Sequence, residues 1–127
     1  MSKQPIEFIC PVINRVDIAW LCVATDDPNP LHLDINFARE KAGYQDVVVP
    51  GTLMVGWIGE YLEEYSGAPE NVLDWRIRFT APVWPGEQIK LTGNVLEEIG
   101  ERVKLEVIAS TMEGRQVAKV SACLKTV

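Results

Sequence analysis

Eight consecutive residues, Thr25-Asp26-Asp27-Pro28-Asn29-Pro30-Leu31-His32, hold most of what this chain offers for acid–base chemistry. Asp27 and His32, five residues apart, pair a carboxylate with the only histidine in the sequence. Two prolines between them remove backbone donors and push the residues before them out of the helical region, so the spacing is largely set before a ligand arrives. A carboxylate and an imidazole held in this way can share one water, each handling one proton, and partial burial tunes both toward neutral pH. The same residue types also make ordinary turns, with the histidine a satisfied polar group near the next helix. Asn29 either orients the pair and touches a ligand through its amide, or only closes an Asx turn.

A second candidate is Pro50-Gly51-Thr52. Pro50 has no amide hydrogen, so Gly51 gives the first N–H of the helix that follows, and its missing side chain lets a ligand oxygen approach. A carbonyl whose oxygen gains negative charge during a reaction suits that donor. Proline is also a common first residue of a helix, so the dipeptide equally serves as a plain helix start. Arg76 and Arg78 share the outward face of one strand, either as a solvated surface or as a meeting point for phosphates of a ligand or carboxylates of an acidic partner. Glu60, Glu63 and Glu64 read as the wet side of a helix.

Composition removes several function classes. Twelve basic against eighteen acidic side chains give a net charge of −6, with no basic run to neutralise a phosphate backbone, so nucleic acid is not an expected partner. The N-terminus lacks an apolar h-region and the longest apolar run, Ile18 to Ala24, is too short to span a bilayer, which predicts a cytoplasmic protein without a membrane partner. Cys10, Cys22 and Cys123 show no Cys-x-x-Cys spacing and read as reduced, mostly buried thiols. With one histidine besides, no metal site and no cofactor are implied.

The elements that must position these residues follow from periodicity. Residues 6–13 read as an opening strand, confined by Pro11 to an edge or bulge. Asn14 caps a helix, with Asp17 completing a capping box and Val16, Ala19, Trp20 and Val23 in one apolar stripe, ending near Thr25. Asp26 to Pro30 must be a rigid loop. Asp34 caps a short helix through Ala42, and Gly43 is its left-handed stop. From Thr52 to Tyr65 a helix carries Met54, Ile58, Tyr61, Leu62 and Tyr65 on one stripe, widened by Leu53, Val55 and Trp57, so other structure should largely enclose it. Gly56 and Gly59 offer room for a close backbone approach. The period then changes to two over residues 73–81, 87–97, 102–112 and 116–126, a four-stranded meander with turns at Trp84-Pro-Gly86, Glu98–Glu101 and Glu113-Gly114. The sum is an α+β domain over residues 1–127, an antiparallel sheet curled around the helix at 52–65. A five-stranded open sheet has two unpaired edges, which makes a homodimer an expected assembly.

Asp27-x-Asn29-Pro30-x-His32 followed by Phe37-Ala38 resembles the signature of MaoC-like (R)-specific enoyl-CoA hydratases and related 3-hydroxyacyl-thioester dehydratases. Arg78-Phe-Thr-Ala-Pro-Val-Trp-Pro-Gly86 is similar to the strand and turn after the central helix of the same hot-dog fold. The order of elements agrees over nearly the whole chain. The resemblance implies that Asp27 and His32 hold and activate the water, and that the substrate is a thioester borne on CoA or on an acyl carrier protein. It also implies hydration of (E)-2-enoyl thioesters to (R)-3-hydroxyacyl thioesters, or the reverse. Two departures stand out. Pro50 replaces a histidine common in that family, leaving the Gly51 donor but no histidine contact. Asp26 stands where a glycine usually precedes the aspartate, so it reads as a loop or capping residue whose backbone geometry is in question. The rival readings are a hot-dog thioesterase with a central-helix glutamate as base, and a non-catalytic acyl-thioester-binding subunit.

Overall fold

The computed structural model describes residues 3–125. Its opening strand, β1 (Phe8–Ile9), pairs with β3 (Ile89–Ile99), placing Phe8 opposite Leu91 and Ile9 opposite Lys90. The strand expected over 6–13 shrinks to this edge fragment, extended by one bond from the Cys10 amide to the Ile89 carbonyl at 2.8 Å. Pro5 and Pro11 flank it and cannot donate to a ladder, which explains its length.

Helix α1 (Arg15–Ala24) starts with the expected capping box: Asn14 Oδ1 accepts from the Asp17 amide at 2.9 Å and Asp17 Oδ2 accepts from the Asn14 amide at 3.0 Å. Its buried residues are Ile18 and Cys22, so the stripe of Val16, Trp20 and Val23 faces solvent. A four-residue helix, α2 (Pro30–Leu33), follows the loop, with Pro30 in its first position. Asp34 then caps α3 (Ile35–Ala42), and Gly43 ends it at φ 71°. Helix α4 (Gly51–Ser66) buries Met54, Ile58, Tyr61, Leu62 and Tyr65 as the periodicity requires, and Gly67 closes it at φ 90°. Val55 is more than a third exposed, and no backbone approaches Gly56 or Gly59, so the proposed close contact at those glycines is not formed.

After a short 3-10 turn (Pro69–Asn71) come β2 (Val72–Phe79), then β3, β4 (Arg102–Thr111) and β5 (Gln116–Lys125). The sheet order is β1-β3-β4-β5-β2, antiparallel throughout. Only β3, β4 and β5 form a meander; β2 lies at the far edge against β5. The segment Pro82–Gly86 is therefore a crossover between opposite parts of the sheet and not a hairpin. Its two prolines suit this path: Val83 accepts from the Val49 amide at 2.9 Å, and the Gly86 amide donates to Ile13 at 2.8 Å, tying the crossover to both loops beneath it.

Val103, Leu105, Val107 and Ala109 of β4, with Ala118, Val120, Ala122 and Leu124 of β5, point inward and join the α4 stripe in one core. Residues alternating with them point outward, a consequence of the two-residue period of a strand. No described helix is long and apolar enough to cross a membrane, and no group of three possible metal ligands occurs among the described residues.

Candidate active site

The stop of α1 positions Asp27. The Asp26 amide donates to the Val23 carbonyl at 3.2 Å and the Asp27 amide to the Cys22 carbonyl at 2.9 Å. These two bonds are the paired C-terminal bonds of a Schellman motif, in which the first residue past the cap adopts left-handed backbone. Asp26 does so, at φ 51°, and is the one described non-glycine residue with positive φ. Asp26 is thus the capping residue the sequence suggested. The aspartate keeps the backbone shape that a glycine would give, and Asp27 leaves the helix end in a fixed direction. Asp27 lies close enough to Cys22 that, after burial itself, its charge helps push that thiol above its ordinary range.

The next turn positions His32. Asn29 Oδ1 accepts from the Leu31 amide at 2.9 Å, capping α2, and the His32 amide donates to the Asn29 carbonyl at 3.0 Å. The Asx reading of Asn29 is therefore realised by its oxygen. Val48 holds the far side: its amide donates to the Leu31 carbonyl at 3.1 Å, and its own carbonyl oxygen lies 2.6 Å from His32 Nδ1. A carbonyl can only accept, so Nδ1 carries the proton in this contact, and in the neutral imidazole the lone pair is on Nε2. The second bond that fixes the tautomer comes from backbone, which no side-chain motif could reveal.

His32 opens onto a cavity of about 500 Å³ whose walls include Gly51, Tyr44, Met54, Phe79 and Val83. Gly51 is the first residue of sixteen-residue α4, whose N-terminus has no side-chain cap. Its free amides and the positive end of the helix dipole are thus left for another acceptor. Phe79, at the end of β2, lays its ring over Gly51; a Cβ there would meet Phe79 Cζ at 2.8 Å. Tyr44 and Trp84 meet edge to face at 5.7 Å beside the cavity. His32 and Gly51, nineteen residues apart, therefore share one cavity. Asp27 and Asn29 are not among the described residues that wall it, and Asp27 is exposed on the loop leading to it. Sequence reasoning missed Tyr44, Met54 and Val83 as walls; for Phe79 the available signal is the two-residue period of its strand, which puts it on the face opposite Arg76 and Arg78. Glu60, Glu63 and Glu64 are exposed and lie outside this cavity.

A family model described as MaoC like domain matches residues 3–116. The 3-hydroxyacyl-thioester dehydratase Y of Mycobacterium tuberculosis is 36% identical over 77 residues, covering 59% of this chain and 27% of that protein. The chain matches between about a quarter and a half of the length of the curated relatives it resembles. Among solved structures, unliganded R-hydratase PhaJ1 from Pseudomonas aeruginosa superposes with a TM-score of 0.82 at 25% identity, covering 99% of this chain and 81% of that one. A chain of the ChsH1-ChsH2 complex from Mycobacterium tuberculosis gives 0.81 at 16% identity, over 99% and 97%. The architecture of all these chains, an antiparallel sheet around one helix, is the hot-dog fold.

Proposed function

The chain belongs to the MaoC-like domain family, and on that premise we propose that it hydrates (E)-2-enoyl thioesters reversibly to (R)-3-hydroxyacyl thioesters. The acyl group enters the cavity of His32 and Gly51, its carbonyl oxygen accepting from the Gly51 amide at the uncapped start of α4. Asp27 and His32 bind one water between them. One takes a proton from the water as its hydroxyl bonds to C3, and the other delivers a proton to C2, so the elements of water add across the double bond. Dehydration is the same path reversed. The observation that carries the reading is that His32, with Nδ1 held 2.6 Å from the Val48 carbonyl oxygen, walls the same cavity as Gly51. A homodimer fits as well: β2 has a neighbour on one side only, and a second copy paired along it would cover its free edge.

The test is hydration of crotonyl-CoA, followed by loss of enoyl absorbance, with the wild type, Asp27→Asn and His32→Ala. Acid–base assistance is worth roughly 10²–10⁴ in rate, and a loss of that order is expected in each variant. An unimpaired rate in either one overturns the site. Release of a titratable thiol would identify a thioesterase instead, and acyl-CoA binding without turnover by the wild type a non-catalytic subunit.

A further inference from the structure

Charge is unevenly distributed over this acidic chain. The outward face of the sheet carries Arg76 and Arg78 on β2, Lys119 and Lys125 on β5, and Arg102 and Lys104 on β4, all exposed and on adjacent strands. These are six of the twelve basic residues, and of the eighteen acids only Asp74, Glu97 and Glu106 share that face in the paired region. Lys119 meets Glu106 at 3.4 Å and Lys125 meets Glu101 at 3.8 Å. Among the described residues Arg76, Arg78, Arg102 and Lys104 make no ion pair within 4 Å, so their charge is available to a partner. Ser121 and Cys123, small residues of β5, lie between these cations and leave a depression of about 500 Å³ flanked by Arg76, Arg102 and Lys104, with Asp74 and Glu97 the two carboxylates on its wall.

From these positions we infer that the outer sheet face docks an acidic carrier protein that brings the acyl thioester to the cavity, a step that rests on the function proposed above. Strand geometry spreads the cations over about 10 Å across the strands and about 20 Å along them. A compact phosphate group is gripped by convergent donors, whereas a flat field of separated cations matches carboxylates spaced along a protein surface. The field and the site meet only at the Phe79 end of β2: Arg78 faces outward, and the next residue, Phe79, faces inward with its ring walling the cavity over Gly51. A carrier held there brings a tethered acyl chain to the rim of the cavity. The excess of acid over the rest of the chain repels the same partner elsewhere and so directs it to this face.

The experiment compares a crotonyl group borne on a purified acidic acyl carrier protein with crotonyl-CoA, using the full chain. The triple charge reversal Arg76→Glu, Arg102→Glu, Lys104→Glu is expected to raise KM for the carrier-borne substrate about tenfold or more, with crotonyl-CoA kinetics within about twofold of wild type. Wild-type KM for the carrier substrate should rise several-fold as ionic strength passes from about 0.05 to about 0.3 M, because exposed charge pairs are screened over that range. An unchanged carrier KM in the reversed variant overturns the inference, as does an equal loss on both substrates, which would place CoA phosphates or the fold itself on these residues. Binding of a saturated butyryl carrier, measured by calorimetry, separates the two claims. Salt-sensitive binding lost in the triple variant upholds docking even if Asp27→Asn leaves hydration intact and the proposed reaction fails.

Discussion

The ring of Phe79 occupies the space that a side chain at Gly51 would need, with 2.8 Å between Phe79 Cζ and the position of a Cβ. That separation is below any ordinary carbon contact, so alanine at residue 51 must displace the ring. Phe79 is 48% exposed and can swing outward, so the fold should survive. Activity should not, because the new methyl also obstructs the oxygen that approaches the Gly51 amide. Loss of one such donor costs roughly 10²–10³ in rate, and Gly51→Ala is expected to approach the lower figure in kcat/KM for crotonyl-CoA. Adding Phe79→Ala should restore the melting temperature without restoring the rate. Recovery of both would make the glycine a packing residue only.

Asp26 holds left-handed backbone at φ 51° in the turn that aims Asp27. Short polar side chains tolerate that region at some cost, glycine at none, and β-branched residues poorly. Asp26→Gly should therefore leave hydration unchanged and shift stability by no more than about 1 kcal/mol, relief of strain offsetting the greater freedom of the unfolded chain. Asp26→Val should cost about 1–2 kcal/mol and reduce the rate as the turn opens. Urea unfolding beside crotonyl-CoA kinetics decides the matter; a harmless valine would mean the turn does not position Asp27.

The capping signals were legible because they are local: Asn14 with Asp17, Asp34 with Gly43, and the α4 stripe each depend on residues within a few positions. Strand order was not legible. Alternation at 73–81 marks a half-buried strand whichever neighbour it pairs with, and nothing in residues 80–86 says that β2 joins β5 across the sheet. Exposure on α1 was hidden for a similar reason. Its apolar residues occupy two faces, and the core took Ile18 and Cys22 while Trp20 stayed 69% exposed. Within the site, Gly51 and His32 were visible by type, but the backbone partner of His32 at Val48 has no side-chain signature, and the enclosing ring of Phe79 depends on the crossover.

Gly93 on β3 is the second glycine where space is decisive. A Cβ at Gly93 would lie 2.6 Å from Tyr61 Oη and 2.7 Å from Pro5 Cβ. Tyr61 is buried on α4, and its hydroxyl, though against the Gly93 backbone, has no hydrogen-bond partner of good geometry. Overpacking of this kind costs about 1–3 kcal/mol, and Gly93→Ala should fall near the upper end because Pro5 cannot rotate away. Tyr61→Phe removes a buried hydroxyl without a partner and should be neutral or mildly stabilising. In a double-mutant cycle Tyr61→Phe should recover part of the Gly93→Ala loss, and additive effects would show that the clash is with Pro5 alone.

Burial also sets how the fold responds to alkali. Cys10 is fully buried and its thiol is pushed from 9.0 up to about 12 by burial, so it stays neutral in the native state where the unfolded chain ionises. Between about pH 9 and 12 the unfolded state binds fewer protons than the native one, and stability must fall as pH rises, by up to about 1.4 kcal/mol per unit for this group. Burial raises Cys22 and Tyr61 as well, and both act in the same direction. Below the unfolded thiol value Cys10 contributes no slope. Urea midpoints measured from pH 7 to 11 should be level with respect to Cys10 at first and then decline. Cys10→Ala should be less stable at pH 7, because it leaves a small cavity, yet decline less steeply above pH 9. Parallel profiles for the two proteins would mean that the Cys10 thiol ionises as readily in the fold as in the open chain.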